Sequence, residues 1–177
     1  MNRVAVVYKS KYGTTEKYAK WIADSVHGDL FKHRDVSMGN LIAYDTLVYL
    51  GGLYAGGILG FSLIRKNFEK LAGKKLIVAA VGATAKKAAA VEEVKEKNMP
   101  LEMIKAGVPF FLLRGGLNYK KMHLLDRALM HFLIRSIKKK KLEDWDDDAK
   151  GMVATYGKTV DFTNKKAIAP IVSAIQG

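Results

Sequence analysis

Ser10, Thr14 and Thr15 surround Gly13 in the stretch Lys9-Ser10-Lys11-Tyr12-Gly13-Thr14-Thr15. Three hydroxyls and a permissive glycine, set between an apolar run and a helix-like pattern, can make a phosphate site. Backbone N–H groups at the helix start add donors and a dipole that favours an anion. The loop lacks G-x-x-x-x-G-K-[ST], so nucleoside triphosphate chemistry is unsupported. It lacks G-x-G-x-x-G as well, which counts against a dinucleotide pyrophosphate. Its groups suffice for one terminal phosphate dianion, with an ordinary capped helix as the plainer alternative.

Two more small-residue loops follow. Gly51-Gly52-Leu53-Tyr54-Ala55-Gly56-Gly57 holds four glycines in seven residues, so its backbone must turn sharply or approach a ligand closely. Tyr54 offers an aromatic face there, or is simply a loop tyrosine. Gly82-Ala83-Thr84 is the third loop. No side chain emerges as a catalytic acid, base or nucleophile. His27, His33, His123 and His131 lack metal-ligand spacing, and the absence of cysteine removes disulfides, thiol catalysis and thiolate metal sites.

These loops need elements to hold them. Residues 2–8 read as a strand buried on both faces, and residues 14–26 as a helix with Ala19, Ile22, Ala23 and Val26 on one stripe, closed by His27-Gly28. A polar edge strand is expected at 29–34 and a brief helix at 37–42. Further buried strands are expected at 46–50, 75–81 and 108–113. Helices are expected at 58–71, 86–97, 100–106 and 145–160, with a last one at 165–176 interrupted by Pro170. Five strands alternating with helices indicate a parallel sheet covered on both faces, and ligands of such sheets bind at the strands' carboxyl ends. The three small loops fall at those ends.

At 177 residues the chain is read as a single domain, residues 1–177, with no internal repeat. No apolar run reaches the roughly 18 residues of a spanning helix. The N-terminus enters strand-like sequence at once, so no signal peptide is expected, and the composition suits the cytoplasm. Charge is more informative. The net charge is +13, and residues 114–141 carry nine basic residues against one acid, Asp126. Five acids then fall within residues 143–148. In the basic block, His123, Arg127, His131 and Arg135 recur every four residues, while Leu124, Leu125, Ala128, Leu129, Phe132, Leu133 and Ile137 occupy other sides. Such a helix suits an anionic membrane surface, or packs on its own domain or in a homodimer. Nucleic-acid binding has only the basic run in its favour and lacks an aromatic-basic platform.

Val6-Val7-Tyr8-x-Ser10-x-x-Gly13-x-Thr15-x-x-x-Ala19-x-x-Ile22 matches the flavodoxin signature at every defined position, and the resemblance extends along the chain. It implies an α/β fold, a flavodoxin-like doubly wound five-stranded parallel sheet of order 2-1-3-4-5, here with an added helical insert at about 117–141. It implies FMN as cofactor. Ser10, Lys11, Tyr12, Gly13, Thr14 and Thr15 would hold the phosphate. Leu53, Tyr54, Ala55 and Gly56 would border the isoalloxazine, with Tyr54 stacked on it, and Gly82, Ala83 and Thr84 would meet its pyrimidine side. Leu50-Gly51-Gly52 departs from the family's more usual approach to the second loop.

Gly115, Leu117, Tyr119, Asp126 and Arg127 resemble, at matching spacing, the insert of the flavodoxin-type quinone-dependent protoporphyrinogen oxidases. This adds Tyr119 to the cofactor-binding set. It implies oxidation of protoporphyrinogen IX, or a similar apolar donor, with electrons passed to a membrane quinone at the inner face of the cell membrane. Electron-carrier flavodoxins are typically acidic. The alternative is therefore a non-catalytic carrier whose basic face docks a redox protein.

Overall fold

The computed structural model describes residues 2–83 and 87–177. The elements run β1 (Val4–Lys9), α1 (Thr14–Val26), β2 (Asp29–Lys32), α2 (Met38–Leu41), β3 (Thr46–Tyr54), β4 (Gly57–Ile58), α3 (Ser62–Arg65) and β5 (Lys75–Gly82). They continue with α4 (Ala88–Asn98), α5 (Leu101–Lys105), β6 (Phe110–Arg114), β7 (Gly116–Asn118), α6 (Leu124–Lys138), α7 (Asp147–Thr155), β8 (Thr159–Asp161) and α8 (Ala169–Gln176). Among the described residues, five parallel strands lie in the order β2-β1-β3-β5-β6. Numbered as parallel strands alone this is 2-1-3-4-5, the order expected.

The pleat sends alternate side chains of these strands to opposite faces, and each face has its own core. Ala5, Val7, Leu47, Tyr49, Val78 and Ala80 pack against Met38, Leu41, Ile64, Leu71 and Met103 on one side. Val6, Tyr8, Val48, Leu50, Ile77 and Ala79 pack against Tyr18, Ala19 and Ile22 of α1 and Ile168, Ile171 and Ile175 at the C-terminus on the other. Burial on both faces explains why these strands read as near-continuous apolar runs.

Several elements differ from the sequence expectation. The helix expected over 58–71 is instead the short strand β4, the single turn α3 and a 3₁₀ turn, Phe68–Leu71. β3 runs on to Tyr54, and Ala55 (φ 48°) and Gly56 (φ 78°) then reverse the chain so that Leu53 pairs with Ile58. Two positive φ values in a two-residue loop are what a tight hairpin requires. The helix expected over 145–160 ends at Thr155. Gly157 takes φ 75°, and the chain returns as β8, antiparallel to β7, in a second small sheet. The local pattern could not reveal this pairing, because β7 lies some forty residues away in sequence. Pro170 starts α8 rather than interrupting it, since its missing N–H falls in the unbonded first turn.

Candidate functional site

Loop one is built by the entry into α1. Gly13, at φ 99°, stands just before the helix, and its N–H donates to Ser10 Oγ at 3.0 Å. The first amides of α1 have no intrahelical acceptor, so they face the loop with the positive end of the helix dipole. Thr15 is buried, and Thr14 lies on the cavity wall. Both hydroxyls stand where neighbouring loops carry no side chain. A Cβ on Gly52 would come within 3.3 Å of Thr15 Oγ1, and one on Gly115 within 2.8 Å of Thr14 Oγ1.

Loop two is the β3–β4 hairpin. Asn98, at the end of α4, accepts from Ile58 N–H at 2.8 Å and donates to the Gly56 carbonyl at 3.0 Å and the Val94 carbonyl at 2.9 Å. Sequence reasoning missed this clasp, since an asparagine at a helix end reads as a cap. Loop three meets loop two closely. A Cβ on Gly82 would fall 2.8 Å from Leu53 Cδ1, so the glycine is what lets the two loops approach. Gly82 also accepts from Gly115 N–H at 2.7 Å.

The insert closes the site. Asp126, in the first turn of α6, is 7 % exposed although charged. Its Oδ1 accepts from Lys11 Nζ at 2.7 Å and from the Tyr54 hydroxyl at 2.8 Å, and its Oδ2 accepts from the Tyr12 hydroxyl. The Lys11 ammonium also lies 3.9 Å from the centre of the Tyr54 ring, a cation–π contact. Burial works against its charge, but the Asp126 carboxylate, with help from Tyr54, holds its pKa above the ordinary lysine value. The sequence singled out Asp126 only as part of the insert's spacing. That it is the shared acceptor of two loops more than seventy residues upstream was not legible there.

Together these pieces enclose a cavity of about 640 Å³ at the carboxyl ends of the strands. Ser10, Lys11, Tyr12, Thr14, Thr15, Leu53, Tyr54, Ala55, Gly56, Gly82 and Ala83 all line it, and the insert adds Leu117, Met122, Asp126, Leu129, Met130 and Leu133. Gly13 is not on the lining. Thr84 lies outside the described residues. Tyr119 stands away from the lining, its ring edge-on to Tyr156 at 5.5 Å, and burial raises its pKa. A hollow of about 890 Å³ lies at the other end of the sheet. Two of its lysines are bound to backbone, Lys74 to the Tyr44 carbonyl at 2.7 Å and Lys75 to that of Ile175 at 3.3 Å. Polar chemistry converges on the smaller cavity.

The family model of the flavodoxin domain matches residues 5–144, which takes in all three loops and the insert. The chain belongs to the flavodoxin family. It is an FMN-binding redox protein, and the site of this flavodoxin fits that group on its own geometry. The cavity volume is within the range of about 300–1,000 Å³ usual for small-molecule sites. Hydroxyls and free amides of loop one suit the phosphate, and glycine-opened walls beside Tyr54 suit a flat ring. Bound FMN supplies electron transfer through its isoalloxazine, while the protein binds, orients and shields it.

Solved structures of similar layout include oxidised flavodoxin 2 from Bacillus cereus, at 17 % identity and TM-score 0.48, covering 96 % of this chain and 99 % of that one. A short-chain flavodoxin associated with a non-canonical PDU bacterial microcompartment is 19 % identical with TM-score 0.47, over 63 % of this chain and 82 % of its own. A WrbA-like flavodoxin from Agrobacterium tumefaciens is 17 % identical with TM-score 0.44, over 62 % and 82 %. No curated protein matches. Likenesses this distant carry no functional weight, which rests on the family match and the site.

Proposed function

We propose that this flavodoxin is an oxidoreductase for an apolar donor of the protoporphyrinogen IX type and delivers the electrons to a membrane quinone. The observation that carries the reading is the continuity of apolar surface along α6. Leu129 and Leu133 line the cavity and are part-exposed, and on the same helix Leu124 (82 % exposed), Leu125 (79 %) and Phe132 (67 %) stand open. Lys120, Lys121 and Lys138 to Lys141 flank this surface. An apolar strip bounded by cations suits the boundary of an anionic bilayer, where burial and charge attraction add. A donor and a quinone dissolved in lipid would then reach the cavity without crossing water. No helix among the described residues is long and apolar enough to cross a membrane, so the reading is of a surface contact.

The test pairs vesicle pelleting with turnover of protoporphyrinogen IX in the presence of menaquinone. The double substitution Leu125→Ser with Phe132→Ser should leave FMN absorbance unchanged. It should cut both pelleting and turnover about tenfold or more, since each side chain stands to lose about 1.5–3 kcal/mol of burial. Wild-type turnover equal to buffer, with electron transfer to an acidic redox protein intact, would instead assign the carrier role with a basic docking face.

A further inference from the structure

Lys11, Tyr12 and Tyr54 make an unusual arrangement for three loop residues. One ammonium and two phenol hydroxyls, from two separate loops, all donate to the two oxygens of a single carboxylate, Asp126. Each oxygen is met, and the ammonium is held in place by the Tyr54 ring beneath it. Convergent charged and hydroxyl donors of this kind are how proteins recognise a carboxylate on a ligand. Here the carboxylate comes from the protein, on a helix that has little else buried. In α6 only Asp126 and Ile134 are buried, and Arg127 and His131 fasten it from exposed positions, to the Tyr119 carbonyl at 2.9 Å and the Tyr156 hydroxyl at 2.9 Å.

The donors stand on the wall of a cavity whose remaining insert side is apolar, with Leu117, Met122, Leu129 and Leu133 facing in. A molecule that entered with an apolar body and a carboxylate would find both matched. Its carboxylate would meet the same donors as Asp126, so the exchange is close to even in hydrogen bonds and charge. Burial of its apolar body would then decide the outcome. Asp126 has somewhere to go, since it lies in the first turn of α6 beside the exposed Leu124, Leu125 and Arg127.

We propose that Lys11, Tyr12 and Tyr54 form a carboxylate-recognition site at the mouth of the flavin cavity, which Asp126 fills in this structure and yields to a carboxylate of the donor. This rests on the reading of the donor as an apolar tetrapyrrole, whose propionates would supply the group. It assigns Asp126 the part of an internal competitor, and it makes the diacid form of the donor the one selected.

The test titrates FMN-loaded protein with mesoporphyrin IX, a tetrapyrrole diacid that is already oxidised, and with its dimethyl ester, following porphyrin absorbance. Wild-type protein should bind the diacid about tenfold more tightly than the ester, because either ligand must displace Asp126 and only the diacid re-pairs the donors it leaves. Asp126→Ala should bind the diacid about tenfold more tightly than wild type, because the competitor is gone. Lys11→Met should lose the preference for the diacid, and this arm stands even if Asp126→Ala does not fold. The isosteric Asp126→Asn should shift diacid binding in the same direction as Asp126→Ala. Diacid binding that is no tighter, or weaker, in both Asp126 variants would make Asp126 a permanent tether and overturn the proposal. Equal binding of diacid and ester by wild type would overturn the carboxylate site alone. Binding of neither would sink the donor reading and this proposal with it.

Discussion

Tyr18 is 1 % exposed, and its hydroxyl donates to the Arg114 carbonyl at 2.8 Å while accepting from Asn164 N–H at 3.1 Å. One phenol thus joins the end of β6 to the turn before α8. Tyr18→Phe keeps the ring and its packing but takes a hydrogen-bond partner from the Arg114 carbonyl and the Asn164 amide. The expected cost is about 0.5–1.5 kcal/mol, read as a lower urea midpoint at unchanged slope. The apolar stripe read from the sequence contained Ala19, Ile22 and Ala23 but not Tyr18. Periodicity registers which side of a helix is apolar and says nothing about a hydroxyl at the far end of a buried ring. Gly82 shows the opposite case. A glycine after a strand marked a loop in the sequence, and the contact with Leu53 gives the reason it has no side chain.

At the scale of elements, β7 and β8 form the small sheet that carries the chain from the insert back to the main body. Asp161, at its end, accepts from Lys17 Nζ of α1 at 2.9 Å and from Thr163 N–H at 2.9 Å. Partial burial opposes its charge, but the Thr163 amide and the Lys17 ammonium outweigh that and hold its pKa below the usual aspartate value. A depressed carboxyl stabilises the fold above its unfolded pKa, and that share is lost as pH falls through the folded value. Asp161→Asn should therefore lower the urea midpoint at pH 7, by no more than about 1 kcal/mol for so exposed a pair. The gap between variant and wild type should close as pH drops below about 4. A gap that persists unchanged to pH 2 would mean that shape, not charge, ties this sheet to α1. The expected helix over 145–160 concealed all of this, because a three-residue strand has no periodicity of its own to read.

For the whole molecule the main asymmetry is charge. The net charge is +13, and residues 114–141, which include α6 with its exposed Leu124, Leu125, Leu129 and Phe132, carry nine bases against one acid. If this end meets anionic lipid, each lysine near the surface adds about 1 kcal/mol. Replacing Lys138, Lys139, Lys140 and Lys141 by Gln should weaken binding to phosphatidylglycerol vesicles by more than tenfold. The wild type should lose most of its own binding as salt rises from about 0.1 to 1 M, where the Debye length falls from about 10 to 3 Å. Binding to neutral vesicles should change little in either experiment. Salt-insensitive binding to anionic vesicles would assign the contact to the apolar strip alone.

Much of this protein was determined by short-range rules. Doubly buried strands, hydroxyl and glycine loops at their ends, and the helix after loop one follow from neighbours a few residues apart, so the sequence carried the parallel sheet, its order through the family resemblance, and loop one. Tertiary structure alone decided what the loops face. Lys11 and Asp126 are 115 positions apart, and Asn98 clasps a hairpin 40 residues upstream. A carboxylate in a helix pattern reads as solvated surface, since its sequence neighbours do not reveal that packing will bury it against an ammonium and two phenols. The same holds for β7 and β8, where pairing between distant segments overrode the local helical pattern. The hydroxyls and glycine of loop one are thus legible from its own seven residues, whereas the mouth of the cavity exists only once α6 has folded over it.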